Sequence, residues 1–367
     1  MAGDHYRADV DQLTELGFYG LPGAPTSPKE LLQQCRDGEA LGLGTVFLSE
    51  RFNIKEVVTL SGAAGAVTES LGIATGVTNH TTRHPIVTAS YATTMHRLTG
   101  GRFALGLGRG IDRMFKAFGL PLITTAQMED FAGLMRRLWH GETVIGHHGP
   151  AGSWPALALD PGFDEDIPLM LSAFGPESLK LAGRAFDGVI LHTFFTDETL
   201  QRCVRTVREA AEQAGRDPAS VRIWSCYAVV GDWLSEDVRL KKTVGRMATY
   251  LQAYGDLMVR TNYWDPAVLA AFRADPFVAG FRGALDNTAT TSELEHVATL
   301  IPQEWLSAAA LGSPEVCAAA VLRQMDLGAD SVIIHGAQPT ELAPMVAAYR
   351  EIRPAGRFDS LPANPGA

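Results

Sequence analysis

Eight short runs of the sequence are apolar on both faces, and this pattern restricts the fold more than any other feature of the chain. They fall near 16–20 (LGFYG), 45–49 (TVFLS), 71–78 (LGIATGVT), 103–108 (FALGLG), 167–173 (IPLMLSA), 187–193 (DGVILHT), 221–229 (VRIWSCYAV) and 331–335 (SVIIH). A strand with two apolar faces must be covered on both, as in a parallel sheet wrapped by helices. Helical segments separate the runs and carry their own start and stop signals. "TSPKELLQQCRDGEALG" offers Ser27 as N-cap, Pro28 at the first helical position and Glu30 three residues after the cap, with Gly42 or Gly44 to end it. "PIVTASYATTMHRLTGG" starts on Pro85 and stops at Gly100-Gly101, "PESLKLAGRAF" starts on Pro176, and "SPEVCAAAVLRQMDLG" repeats the pattern with Ser313, Pro314 and Gly328. Eight strands alternating with helices predict an α/β fold, a (β/α)8 TIM barrel; a doubly wound open sheet is the alternative. A chain of 367 residues suits a single barrel domain, 1–367, with insertions. One insertion is 141–166, rich in Gly, Pro and Asp. The other is 232–311, a mostly helical region after strand seven. Both are expected to cover the C-terminal mouth.

The composition narrows the function. Hydrophobic residues make up 46% of the chain and charged ones 20%, as in an ordinary globular protein. A formal charge of −10 argues against a general nucleic-acid binder but leaves room for a small anion held by a few arginines and amides. Cys35, Cys203, Cys226 and Cys317 are widely spaced, with no CxxC pair, and read as reduced thiols. The opening "MAGDHYRADVDQLTE" is acidic and lacks the apolar centre of a signal peptide, and no apolar run reaches the length of a membrane span. The expected setting is cytoplasmic, with a small-molecule substrate and neither nucleic acid nor membrane as partner. No HExxH, no GxSxG elbow and no P-loop occur, and no metal site is expected; His147-His148 is read in a Gly-rich loop and His96 as structural.

In a barrel of this kind the chemistry lies at the C-terminal strand ends. Those ends are Ser49-Glu50-Arg51, Gly76 to His80, Gly106 to Gly110, Ser172 to Pro176, His192-Thr193, Cys226 to Val230 and His335-Gly336. Glu50 and Arg51 close an apolar run with two opposite charges. They form either a solvated rim ion pair or part of a site. "GLGRGI" after strand four is GxGxG rather than GxGxxG, with Ile111 at the third position; its glycines would let a planar ring approach the backbone. Gly175-Pro176 opens a helix, and the free amides of such an end suit a phosphate.

Three segments carry a resemblance: "GIATGVTNHTTRHPIVTASYATTMHRLTGGRFALGLGRGI", "LSAFGPESLKLAGRAFDGVI" and "LGSPEVCAAAVLRQMDLGADSVII". They look like the luciferase-like flavin and deazaflavin oxidoreductases, and the coenzyme F420 (deazaflavin) branch is the nearest pattern. The resemblance implies a bacterial-luciferase-like TIM barrel, commonly a homodimer, with the cofactor ring in the barrel mouth. It implies a non-proline cis peptide at Gly76-Val77 behind the ring. Asn79 and Thr81 would lie by the ring or its side chain, and Gly108, Arg109 and Gly110 would line the other side. Ser172, Phe174, Gly175 and Pro176 would hold the phosphate end. The activity implied is hydride transfer between the deazaflavin C5 and a small organic substrate. The alternatives are an FMN-dependent monooxygenase using reduced flavin and oxygen, and a relative that binds cofactor without turnover.

Two departures alter the mechanism that the resemblance implies. Family members often carry an acid followed by His after strand two; here the pair is Glu50-Arg51, and arginine stays protonated. Some deazaflavin enzymes carry Glu just after the strand-four glycines, where this chain has Ile111 and then Asp112. Arg51 and Arg109 are therefore expected to stabilise developing negative charge, with Glu50 holding either arginine. Proton transfer is assigned to His80, His192 or a bound water.

Overall fold

The computed structural model describes residues 11–367. Its strands are β1 (Leu13–Tyr19), β2 (Leu43–Leu48), β3 (Gly72–Thr75), β4 (Phe103–Leu107), β5 (Val144–Gly149), β6 (Gly152–Leu157), β7 (Leu169–Ser172), β8 (Gly188–Ile190), β9 (Arg222–Gly231), β10 (Ala310–Gly312) and β11 (Ser331–His335). Eight of them pair in parallel in the order β11-β1-β2-β3-β4-β7-β8-β9, and β9 pairs back onto β11. The sheet is thus closed, with helices between successive strands. The chain is a (β/α)8 TIM barrel, and each of the eight apolar runs supplies one barrel strand. The short β10 extends the upper end of β9.

Strand alternation divides the core. Phe47, Ala74, Ala104, Met170, Ile190, Trp224 and Ile333 point inward and fill the barrel. Their neighbours, such as Val46, Leu48, Ile73 and Leu105, point outward under the helices. Phe47 and Trp224 meet edge to face, 4.9 Å between ring centroids. Gly17 makes room for this: a methyl group there would lie 2.8 Å from the Phe47 ring. The end of the barrel opposite the mouth is closed by the last residues. Arg222 donates to the carbonyls of Pro362 and Asn364, and the Trp224 indole N–H donates to Pro365 O at 2.7 Å.

Several local expectations need correction. Residues 144–157 are not a loop but the antiparallel hairpin β5–β6, so His147 and His148 lie on a strand. The hairpin stands off the barrel with most of its side chains at least partly exposed, and so it lacks the apolar run that marks the other strands. The first helix begins at Glu30, two residues later than its Pro28 suggests, although Ser27 and Glu30 still bond across the turn. The run 71–78 leaves the ladder after Thr75, where the Gly76–Val77 peptide is cis.

Between β9 and β10 the chain forms a succession of helices from Glu236 to Leu306. They enclose their own apolar cluster around Met247, Leu251, Met258, Phe272, Leu294 and Trp305. The first of them passes through a π-helical turn, Lys241–Gly245, into the helix Arg246–Asn262. That helix breaks at Tyr254, whose φ and ψ are −153° and 36°.

Candidate active site

The ends of β2, β3 and β4 are tied together by their backbones. Gly76 N donates to Leu48 O (2.7 Å), Glu50 N to Val77 O (3.1 Å), Thr78 N to Gly106 O (2.9 Å) and Gly108 N to Thr78 O (2.8 Å). The approach is close enough to require glycine: a methyl group at 106 would meet Thr75 O at 2.0 Å, and one at 108 would meet Val77 Cγ2 at 2.3 Å. Ser172, at the end of β7, faces Gly108 from the other side. Val77, Gly108 and Ser172 thus form one continuous edge of the mouth. Next along that edge, Gly175 caps the ten-residue helix Pro176–Ala185. No side chain caps this helix end, and the space beside Gly175 Cα is open to 4 Å. Gly110 serves a different purpose. It turns the chain at φ 70° with Phe115 packed against it, and it is exposed.

Glu50 and Arg51 part company. The Glu50 side chain is buried, and its two carboxylate oxygens accept hydrogen bonds from Arg83 at 2.7 and 2.9 Å and from the Thr78 hydroxyl. Arg83 also pairs with Glu56, which caps the helix Val57–Val67 by accepting from the Val58 and Thr59 amides. Donating to Glu50 raises the Arg83 guanidinium pKa. Arg51 turns the other way and donates to Gly23 O. Burial first, and then the nearby Arg246 cation, lower its pKa. The two neighbours in sequence are therefore not an ion pair with one another.

Arg109, Asn79 and His80 are engaged away from this edge. Arg109 is exposed and donates to the Thr125 hydroxyl. Asn79 is buried, and its Oδ1 accepts from the amides and hydroxyls of Thr81 and Thr82, folding the loop on itself. His80 is buried against Phe131, 5.3 Å between rings, and burial pushes its pKa down to about 4. With Thr81, His84 and Trp154 it lines a cavity of about 380 Å³ beside the hairpin.

A different histidine faces the mouth. His192 Nδ1 lies 2.9 Å from Thr193 O, a carbonyl that can only accept, so Nδ1 carries the proton. Nε2 then accepts from the Tyr254 hydroxyl at 2.8 Å. Phe174 packs on His192 at 4.5 Å and on Tyr254 at 5.9 Å. Burial lowers the His192 pKa to about 4 and raises that of Tyr254 well above its ordinary value, so the pair is neutral at pH 7. One helical turn earlier, the Tyr250 hydroxyl lies 3.1 Å from His335 Nε2. The i, i+4 spacing of the two tyrosines on the Arg246–Asn262 helix brings both hydroxyls to the barrel top. Arg83 and the tyrosine–histidine pairing escaped the sequence reading as site features. The signal for Arg83 was its place in "TTRHP".

The sequence profile of the family described as luciferase-like monooxygenase matches residues 13–331. The chain belongs to the luciferase-like monooxygenase family. Among curated members, a 5,10-methylenetetrahydromethanopterin reductase of Methanolobus tindarius is 26% identical over 326 residues, covering 86% of this chain and 93% of the relative. A phthiodiolone/phenolphthiodiolone dimycocerosates ketoreductase of Mycobacterium tuberculosis is 28% identical over 235 residues, 62% of this chain and 61% of that one. Among solved structures, the coenzyme F420 dependent tetrahydromethanopterin reductase from Methanopyrus kandleri superposes with a TM-score of 0.75 at 18% identity, covering 92% of this chain and 98% of that one. The long-chain alkane monooxygenase LadA superposes with a TM-score of 0.65 at 13% identity, covering 94% and 92%. The two solved structures share the luciferase-like barrel with this chain.

The mouth of this luciferase-like barrel fits a flavin-type coenzyme. The Val77–Gly108–Ser172 edge offers a flat wall of backbone and small side chains. The open space at Gly175 lies against a helix end with no side-chain cap, where the Glu177 amide and the helix dipole favour a phosphate; Pro176 has no N–H, and the Ser178 and Leu179 amides bond to Gly175 O. Among the described residues no group of three His, Cys, Asp or Glu side chains is arranged to hold a metal ion, and no helix is long and apolar enough to cross a membrane.

Proposed function

We propose that this protein is a coenzyme F420-dependent oxidoreductase that transfers a hydride between the deazaflavin C5 and a small organic substrate. The observation that carries this reading is the match to a curated reductase along nearly that protein's whole length, 93%. The open, uncapped helix start at Gly175 beside the Val77–Gly108–Ser172 edge supports it. When bound, the deazaflavin supplies hydride chemistry at one ring carbon without activating oxygen.

In this reading Val77, Gly108 and Ser172 contact the ring, and Phe174, Gly175 and Pro176 surround the phosphate end. Glu50 is a positioning residue: it holds Arg83 and Thr78 and so fixes the loop after β3. Arg51, partly buried and in no ion pair among the described residues, stabilises negative charge on the reacting groups. The Tyr254 hydroxyl, held by His192 Nε2, gives a proton to the substrate or takes one from it. His80 stays outside this constellation, in the cavity beside the hairpin. Assembly as a cytoplasmic homodimer completes the proposal.

The test is a paired fluorescence titration of the purified protein with oxidised coenzyme F420 and with FMN. Selective binding of F420, followed by substrate-dependent change in its absorbance without oxygen, is the expected result. Selective binding of FMN with oxygen consumption would replace this reading by a flavin monooxygenase.

A further inference from the structure

A second cavity opens beside the barrel mouth, about 310 Å³ in volume, between the loop after β1, the loop after β11 and the π-helical turn. Its charged wall consists of Lys241, Lys242, Arg246, Asp286 and Glu341, with Gln338 beside them. The π turn brings Lys241, Lys242 and Arg246 to one side; such turns are frequent at functional sites because they redirect side chains within a helix.

The wall is not electrically balanced. Asp286 is already committed to Arg246 at 3.0 Å and to the Thr249 hydroxyl at 2.8 Å. Glu341 is committed to Lys242 at 2.8 Å and to the Gln338 amide at 2.7 Å. Lys241 makes no ion pair within 4 Å among the described residues; the carboxylate that acts on it is Asp237, one helical turn away and outside the cavity wall. Two more cations stand behind the same wall. Arg51 bonds to the carbonyl of Gly23, itself a lining residue, and Lys55 bonds to the carbonyls of Gly20 and Leu21 at 2.8 and 3.0 Å. Among the described residues the hydrogen bonds of both go to backbone carbonyls. Burial and then Arg246 lower the Arg51 pKa against an opposing effect of Asp286, and burial and then Arg51 lower that of Lys55 to about 7. In a chain of net charge −10, like charges collected under partial burial destabilise the fold unless a counter-charge arrives.

From this geometry we infer that the cavity binds an oxyanion group, carboxylate or phosphate, of the substrate. The inference rests on the oxidoreductase reading and adds a substrate class to it: a small organic anion. Arg246 links the cavity to the reaction site, because its guanidinium carbon also lies 5.8 Å from the Tyr250 ring, and Tyr250 contacts His335 and His192. An anion held by Lys241 and Arg246 leaves the rest of its carbon skeleton to run past Tyr250 toward Tyr254.

The experiment is isothermal titration calorimetry of the full chain with succinate, inorganic phosphate and neutral succinamide, in low and high salt. Lys241→Glu alters a partly exposed side chain and keeps the fold; Arg246→Lys keeps a partner for Asp286. The expected result is salt-sensitive binding of succinate or phosphate, none of succinamide, and at least about 10-fold weaker anion binding in Lys241→Glu, as loss of one close charge contact would give. Preference between succinate and phosphate separates the two oxyanion sources. Absence of binding for either anion at tens of millimolar overturns the inference, and so does binding unchanged in both variants. If Lys241→Glu weakens F420 rather than the small anions, the cavity belongs to the coenzyme and the substrate assignment fails. Failure of F420 to bind the wild-type protein while succinate binding depends on Lys241 removes the functional reading and leaves the anion site standing.

Discussion

Two charged networks stand at the same end of the barrel and differ in how they are balanced. Glu50, Glu56, Arg83 and Thr78 form a closed set in which both Glu50 oxygens and the arginine are satisfied within the fold. Lys241, Lys242, Arg246, Arg51 and Lys55 share, among the described residues, two ion-paired carboxylates, Glu341 and Asp286, with Asp237 acting on Lys241 from one helical turn away. The first network does the work of a brace: it ties the loop after β3 to the start of the Val57–Val67 helix. The second holds more cations than ion-paired carboxylates among the described residues, and the surplus charge is available to a ligand. Proximity to the mouth does not separate structural from functional ions here. The state of their partners does.

The sharpest way to break the comparison is Arg83→Ala. It leaves Glu50 buried and charged with no cation, and breaking a buried pair of this kind costs about 3–5 kcal/mol. Urea unfolding should show a loss of that size, and a loss near zero would mean that the brace is idle. Next in size is Tyr254→Phe, which removes one hydroxyl beside His192 and leaves the packing intact. Turnover is expected to fall about 100-fold with F420 affinity unchanged. An unaltered kcat would take proton transfer away from this tyrosine. The third test concerns pH and a single lysine. The folded-state pKa of Lys55 is about 7, below its ordinary value of 10.5. Between those two values the unfolded chain binds the extra proton, so stability rises as pH increases from about 7 toward 10.5. Thermal melts across that range should show the rise in the wild type and a flatter profile in Lys55→Gln. Saturating succinate should flatten it too, if the anion restores the lysine's charge.

The barrel was legible because burial on both faces leaves a mark on every strand. Runs such as TVFLS and SVIIH cannot be amphipathic surface strands, and eight of them in alternation with helices leave few architectures open. The β5–β6 hairpin left no such mark, since Ile145, Gly146 and His148 meet solvent and His147 is only partly covered. At the site, the helix start at Gly175-Pro176 was legible from local chemistry alone, because glycine followed by proline is a common opening for a helix. Arg83 appeared only as a letter in TTRHP; its partner Glu50 lies 33 residues away, and the pairing depends on how β2 and β3 lie side by side. Tyr254 and His192 are 62 residues apart. Helical spacing groups Tyr250 with Tyr254, but the direction in which that face points depends on the π turn and the break at Tyr254. Neither has a composition signal.

The closing of the barrel floor bears on the order in which the molecule is made. Arg222 and Trp224 find their backbone acceptors in residues 362–365, and Asn364 bonds in turn to the carbonyls of Gly101 and Phe103. Those residues follow every barrel strand in the sequence and are synthesised after all of them. The inner arginine and indole therefore gain their acceptors only when the segment 362–365 has folded back under strands made earlier, so the floor is set after the ladder rather than with it.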